Sequence, residues 1–367
     1  MPPTQSEKIY DCIVVGAGQA GLACGYYLKE RDLSFIILDK VKEVGSSWKN
    51  RYDSLVLFTP NRYCQLPDAE LPGEPNNHST KDEIAVYLKN YAKNQNLPII
   101  FEQKVFEIKF ENNLYEILTL APISSTSTTK YKSKSIILAT GPFQEPLIPN
   151  FPGIKTLNTL QIHSADYKNP SQVEGKKVLV VGGGNSGAQI AEELSNIDHL
   201  EVYFSIKGRP AFVPQKILGK NVFWWLEKLN LLYAPKNSWR SKLLMGKSEP
   251  IIGTNLKSFI EKGKARVLPG VTGVEENQII FEGEYKSAFD TIIWATGYRQ
   301  NYDFLKIPNV LNEKGELRHA VGVTGQPGLY CIGHIWQKTR SSALVGGVGR
   351  DAEELVAKIS AKLADLS

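Results

Sequence analysis

One stretch of this chain occurs twice, and it narrows the choice of folds more than anything else in the sequence. Residues 11–21 read DCIVVGAGQAG and residues 177–187 read KVLVVGGGNSG. Each is a short apolar run, a glycine-x-glycine-x-x-glycine turn, and the start of a helical pattern. In such a strand-turn-helix unit the first glycine permits a tight turn and the second lets backbone approach a pyrophosphate. The third lets the helix pack close to the strand. The helix N-terminus then offers unpaired N–H groups and the positive end of its dipole to phosphates. Gly16, Gly18 and Gly21 fill these roles in the first copy, with Gln19 and Ala20 between them; Gly182, Gly184 and Gly187 do so in the second, with Asn185 and Ser186. The repeat extends further. An apolar run at 135–138 leads into Ala139-Thr140-Gly141, and one at 290–294 into Ala295-Thr296-Gly297. Glycines serving only tight turns would not explain two matching exits.

At 367 residues the chain is long for one domain and comfortable for two. Apolar runs of four to six residues alternate with helical patterns, which predicts an α/β fold of two Rossmann-like dinucleotide-binding domains. Residues 1–160 and 298–367 are expected to form the first, with 161–297 inserted as the second. Strands are expected at 12–15, 35–38 and 329–332, helices at 21–29 and 81–94, and a closing helix from about Asp351. Residues 104–120 alternate like a meander of half-buried strands. The serine/threonine tract 124–129 reads as a loop tip and the proline-rich 146–154 as a linker.

The two units differ at the end of their second strands. A carboxylate at that point accepts hydrogen bonds from a free ribose diol. In the first copy that residue is Asp39, with Lys40 next to it; the equivalent offset in the second copy lands on Ser205, with Lys207 and Arg209 just beyond. A carboxylate would repel a ribose 2′-phosphate, whereas a hydroxyl and two cations would attract it. The second site is therefore expected to take NADPH, and the first a nucleotide without that phosphate, so that a hydride passes between two bound nucleotides.

Composition removes other classes. A net charge of +5 spread along the chain describes a solvated basic surface and no nucleic-acid stripe. Cys12, Cys24, Cys64 and Cys331 form no Cys-x-x-Cys pair and no metal-ligand spacing, which argues against a disulfide reductase and against a metal site. The N-terminal MPPTQSEK lacks a signal-peptide pattern, and no apolar run approaches the ~18 residues that span a bilayer. A cytoplasmic enzyme is expected, with a homodimer left open. Residues 220–235, KNVFWWLEKLNLLYAP, are unusually apolar. Buried helical packing is the default reading, a substrate-tunnel wall or dimer contact the alternatives, and a membrane-surface helix is disfavoured by the short run and few flanking cations.

Beyond the two turns, VGSSW at 44–48, RYDSLVLFTPNRYCQLP at 51–67, ATGPFQEPLIP at 139–149 and WQKTRSSALVGGVGRDA at 336–352 resemble segments of the flavin-containing monooxygenases, especially the plant YUCCA enzymes and small bacterial relatives. The likeness covers nearly the whole chain. It implies FAD in the first site, bounded by Ser47, Trp48, Arg51, Val105, Thr140, Gly141 and Gly333, and NADPH in the second, with Ala295, Thr296 and Gly297 at its exit. It also implies a C4a-hydroperoxide chemistry in which one atom of O2 goes to a small sulfur- or nitrogen-containing molecule or an indolic 2-keto acid. Asn61, after Phe58-Thr59-Pro60, is a shifted equivalent of an active-site asparagine, and Asn185 would face the nicotinamide. His163 is expected to be structural, and Gln337, Arg340 and Ser342 fall in a turn beside the flavin. There are departures: of the family's Phe-x-Gly-x-x-x-His-x-x-x-Tyr/Phe signature only His163 to Tyr167 survives, and Lys168 stands where Baeyer–Villiger enzymes carry proline or aspartate. The competing reading is an NADPH oxidase or a reductase that passes electrons to oxygen, a quinone or a protein. A non-enzymatic nucleotide-binding regulator is disfavoured because both turns and both exits are intact.

Overall fold

A computed structural model describes residues 8–120, 127–244 and 250–365. The N-terminal tail and the first part of the serine/threonine tract lie outside them. Two sheets organise the chain. At the centre of the first, five parallel strands run in the order Leu329–Cys331, Thr128–Leu138, Ile9–Val15, Phe35–Leu38, Ile99–Ile100. Val14 pairs in register with Ile37 on one side and Ile137 on the other. Where they pair in parallel, at 12–15, 35–38 and 136–138, these strands are apolar because both faces are covered, as parallel strands require. Helices Gln19–Glu30, Lys81–Asn94 and Val348–Ala364 close one face around Val14, Leu22, Leu88 and Val356. Residues including Ile108, Ile117, Tyr302 and Leu317 close the other.

The helix Lys81–Asn94 forms where the spacing of Ile84, Tyr87, Leu88 and Tyr91 predicts it, and Thr80 with Glu83 makes a reciprocal capping box at its start. The meander proves to be a hairpin, Lys104–Glu111 with Leu114–Leu120, laid antiparallel on the first half of Thr128–Leu138. That pairing corrects the loop tip expected at 124–129: Thr128 and Thr129 already belong to the strand. The closing helix starts at Val348, one turn earlier than its acidic residues suggest.

The second sheet is parallel throughout, in the order Ala265–Leu268, Glu201–Ser205, Lys177–Val181, Thr291–Trp294, Leu160–His163. Helix Asn185–Ser195 packs on it through Ala188, Ile190, Ala191 and Leu194. Between the strands Glu201–Ser205 and Ala265–Leu268 lies the apolar segment, whose helix Val222–Lys228 buries Val222 and Phe223 against Tyr63, Leu232 and Ile252. No described helix is long and apolar enough to cross a membrane.

Candidate functional site

The two glycine turns are copies down to their hydrogen bonds. Gly16 N–H donates to Leu38 O at 2.8 Å and Gly182 N–H to Ser205 O at 2.9 Å, so each turn is hung from the end of the second strand of its unit. Ala139 N–H donates to Val15 O and Ala295 N–H to Val181 O, both at 2.8 Å. The alanine of each exit therefore presses its carbonyl against the first glycine: a Cβ on Gly16 would lie 2.5 Å from Ala139 O, and one on Gly182 2.1 Å from Ala295 O. Both glycines also have φ above 100°, which a side chain would resist. A Cβ on Gly21 would meet Gly16 O at 1.8 Å and one on Gly187 would meet Gly182 O at 2.1 Å. Sequence spacing hinted at these partners; the paired Ala-Thr-Gly exits exist because each closes on its own turn.

At Gly18, by contrast, a Cβ would meet nothing within 4 Å. Gly18 and Gly184 are the N-caps of their helices, and neither helix start has a side-chain cap. Gln19, Ala20 and Gly21 thus open one helix, and Asn185, Ser186 and Gly187 the other, with first-turn N–H groups that no side chain covers. This bare N-terminus beside open backbone is the cradle a pyrophosphate fits. Asp39 sits at the first cradle's rim, its carboxylate accepting from Ala17 N–H at 2.5 Å and Val41 N–H at 3.1 Å. Each oxygen keeps a lone pair for a ribose hydroxyl. Lys40 is exposed beside it.

Other first-site residues gather around this cradle. Trp48 donates from Nε1 to Gln19 Oε1 at 3.2 Å, and Gln19 Nε2 donates to Ala343 O at 3.0 Å, which ties the 44–48 segment and the closing segment across the helix start. Ser47 next to it is exposed. Gly333, with φ +86°, lies against Ala20, 3.1 Å from a would-be Cβ. Thr140 Oγ1 accepts from Gln144 Nε2 at 2.9 Å, and Gly141 faces open space. Val105 lies at a register shift of its hairpin, half-buried on the far cluster.

The second site departs from expectation at Ser205. Its side chain is 1% exposed and its hydroxyl donates to Pro269 O at 2.7 Å, so it is engaged inside the protein. Lys207 and Arg209 are exposed, and neither pairs with a carboxylate among the described residues. Asn185 does not cap its helix; its Nδ2 donates to Pro250 O at 3.1 Å and its Oδ1 accepts from Ile252 N–H at 2.9 Å, so it holds the 250–252 strand over the turn. Asn61 is likewise engaged inward. It is 4% exposed, donates to Glu74 O at 3.2 Å and accepts from Ser79 Oγ at 2.8 Å, which makes it a clasp for the 74–79 loop. Gln337 and Ser342 are also engaged inward, on Cys331 O and on the Lys338 and Thr339 N–H groups.

The contacts joining the two cradles were only partly legible. Arg51 donates to Tyr298 Oη at 2.5 Å, and its guanidinium stands 5.1 Å from the Phe143 ring centre and 5.2 Å from that of Tyr298. Phe143 comes just after the first exit and Tyr298 just after the second; an aromatic residue beyond each Ala-Thr-Gly was the signal that could have found them. Residues Glu145–Pro146 pair antiparallel with Tyr298–Arg299, and Leu147 N–H donates to Gly297 O at 3.0 Å. Thr296 closes the same ribbon by donating to Leu147 O. Tyr52 Oη donates to Gln189 Oε1 at 2.6 Å and Gln189 Nε2 to Val56 O at 2.9 Å, which lays the 51–58 segment along the second glycine helix. His163 is held as a neutral ring: its Nδ1 accepts from Ala165 N–H, so Nε2 carries the proton donated to Gly297 O at 3.0 Å. Burial pushes its pKa below the usual imidazole value, in line with a structural residue.

All four cysteines are buried and unpaired, and burial lifts the Cys12 and Cys64 thiols to about 12 and Cys24 and Cys331 well above their ordinary value. None is a thiolate near neutral pH, which removes thiol–disulfide exchange by this chain's own cysteines. The described residues hold no cluster of metal-ligating side chains.

Comparison with known proteins agrees with this geometry. The model of the pyridine nucleotide-disulphide oxidoreductases matches residues 13–215, and that of the flavin-binding monooxygenase-like proteins residues 202–340. An uncharacterized oxidoreductase CzcO-like of Geobacillus kaustophilus is 43% identical over 95% of this chain and 98% of its own length. The indole-3-pyruvate monooxygenase YUCCA4 of Oryza sativa is 28% identical over 100% of this chain and 91% of its own. The fold matches a flavin-containing monooxygenase from Stenotrophomonas maltophilia with a TM-score of 0.80 at 24% identity, covering 97% of this chain and 99% of that one.

Proposed function

Because this chain belongs to the flavin-binding monooxygenase-like family, and so is a flavin-dependent oxidoreductase with sites for FAD and a pyridine nucleotide, we propose that it is an NADPH-dependent monooxygenase acting on a small soft nucleophile or an indolic 2-keto acid. The observation that carries this reading is the pair of matched cradles. Only the first has a carboxylate at its rim, while the second has two cations beyond its strand, neither paired with a carboxylate among the described residues. We assign residues 1–160 and 298–367 to FAD and 161–297 to NADPH. Gly16, Gly18, Gly21 and Asp39 would hold the flavin nucleotide, and Gly182, Gly184 and Gly187 the NADPH pyrophosphate, with Lys207 and Arg209 on its 2′-phosphate.

When bound, the flavin supplies hydride acceptance and the activation of dioxygen. The chain supplies placement and dryness. The N–H groups of its two uncapped helix starts, after Gly18 and Gly184, would hold the two pyrophosphates. The indole of Trp48, tied to Gln19, roofs the first helix start. Arg51, over the touching rings of Phe143 and Tyr298, keeps a fixed cation where the two exits meet. Such preorganised charge steadies negative charge without solvent reorganisation.

The test is direct. Anaerobic NADPH should bleach the visible flavin spectrum of the purified protein. In air, with candidate sulfides, amines or indolic 2-keto acids, NADPH consumed should then match oxygenated product. Full conversion of NADPH into hydrogen peroxide with every substrate would instead assign an oxidase, and a colourless protein that rejects FAD would overturn the reading.

A further inference from the structure

Lys216–Ile217 and Lys220–Asn221 form a short antiparallel hairpin whose two-residue turn is Leu218-Gly219. Both turn residues are left-handed, with φ of +49° and +75°. A turn of this kind favours Asn-Gly, because a branched side chain resists positive φ. Leucine stands there nonetheless, and it is 86% exposed, so no packing among the described residues repays the strain. A local rule broken without internal compensation marks a functional position.

The surroundings of Leu218 say what kind. Ile217 beside it on the same hairpin is exposed as well. The Trp225 indole donates to Ile217 O at 2.8 Å, which braces the hairpin on the helix Val222–Lys228, while Val222 and Phe223 root that helix in the protein. Counted over 216–242 instead of the apolar run alone, the cations are Lys216, Lys220, Lys228, Lys236, Arg240 and Lys242, against the single carboxylate of Glu227. That local excess equals the net +5 of the entire chain. None of the six pairs with a carboxylate among the described residues, and the carboxylate of Glu227 accepts from Tyr63 Oη at 2.8 Å. Lys220 and Arg240 lie over the rings of Trp224 and Trp239.

We propose that this projection docks the protein on an anionic bilayer surface, with Leu218 and Ile217 entering the headgroup region and Lys216 and Lys220 meeting lipid phosphates. Exposed aliphatic side chains flanked on one hairpin by lysines that pair with no carboxylate among the described residues fit that interface, where apolar contact and attraction to anionic lipid add. A second copy of the chain is the poorer occupant, since it would bring the same lysines, Lys216 and Lys220, face to face.

The holoenzyme is to be floated with vesicles of phosphatidylcholine alone and of phosphatidylcholine with one-third phosphatidylglycerol. Binding is expected on the anionic vesicles only, and it should fall steeply as salt rises. Leu218→Asp and the pair Lys216→Glu, Lys220→Glu should each weaken it at least about tenfold while the flavin spectrum and NADPH oxidation stay unchanged. Leu218→Asn is the sharper variant: it suits the turn, so the melting temperature should hold or rise while vesicle binding falls. Equal binding to both vesicle types, no binding at low salt, or variants that bind like the parent would each overturn the proposal. So would a dimer in ultracentrifugation that Leu218→Asp dissociates without any effect on vesicles.

Discussion

Lys207 illustrates how a single side chain divides one nucleotide from another. It is exposed, has no carboxylate partner among the described residues, and lies just past the strand from whose end the second turn hangs. A charge-assisted contact to phosphate is worth roughly 1.5–3 kcal/mol. Lys207→Ala should therefore raise the KM for NADPH about tenfold or more and leave that for NADH nearly unmoved; equal effects on the two would remove Lys207 from the phosphate. The glycine positions and Asp39 were legible in the sequence because a tight turn and the end of its second strand are fixed by distance along the chain. Asn61 and Ser205 were not. Each is a polar residue at a plausible offset, but its partner, Ser79 or Pro269, is set by tertiary packing that no spacing reveals.

At the scale of elements, the unit that matters is a helix lying on its own glycine turn. The third glycine of each turn is in contact with the carbonyl of the first, so a methyl there must push the helix off its strand. Overpacking of this kind costs about 1–3 kcal/mol and tilts the N–H groups away from the phosphates. Gly187→Ala should slow NADPH-driven bleaching by roughly a hundredfold, while dithionite still reduces the flavin; Gly21→Ala should instead yield protein with little FAD. Element positions were readable wherever apolar period and punctuation agreed, as at Phe35–Leu38 and Lys81–Asn94. They were missed where a strand changes partners. Thr128–Leu138 is polar and alternating while it borders the hairpin, then fully apolar once it enters the parallel centre, and only that second half reads as a strand.

For the whole molecule, acid is the weak side. His78, His163, His319 and His334 all have pKa values lowered mainly by burial, His334 to about 4. In the unfolded chain histidine titrates near 6.5, so as pH falls below that value the unfolded state gains protons that the native state refuses. Stability is full above about 6.5 and declines from there toward 4, by up to roughly 1.4 kcal/mol per unit for His334. The melting temperature should drop across that window, and His334→Asn should flatten the slope; an unchanged slope would show that the buried imidazoles do not govern it. The two-module plan was open to reading from the sequence because duplication repeats its signals. The junction was hidden, since Arg51, Phe143 and Tyr298 meet only when both sheets are in place.

The ribbon of Glu145–Pro146 with Tyr298–Arg299 has a consequence for how such a chain can change over generations. The path out of the first sheet and the path back lie side by side, hydrogen-bonded to one another. Whatever is threaded between them behaves as a cassette with clasped ends, able to lengthen, shorten or be exchanged without altering the register of the strands on either side.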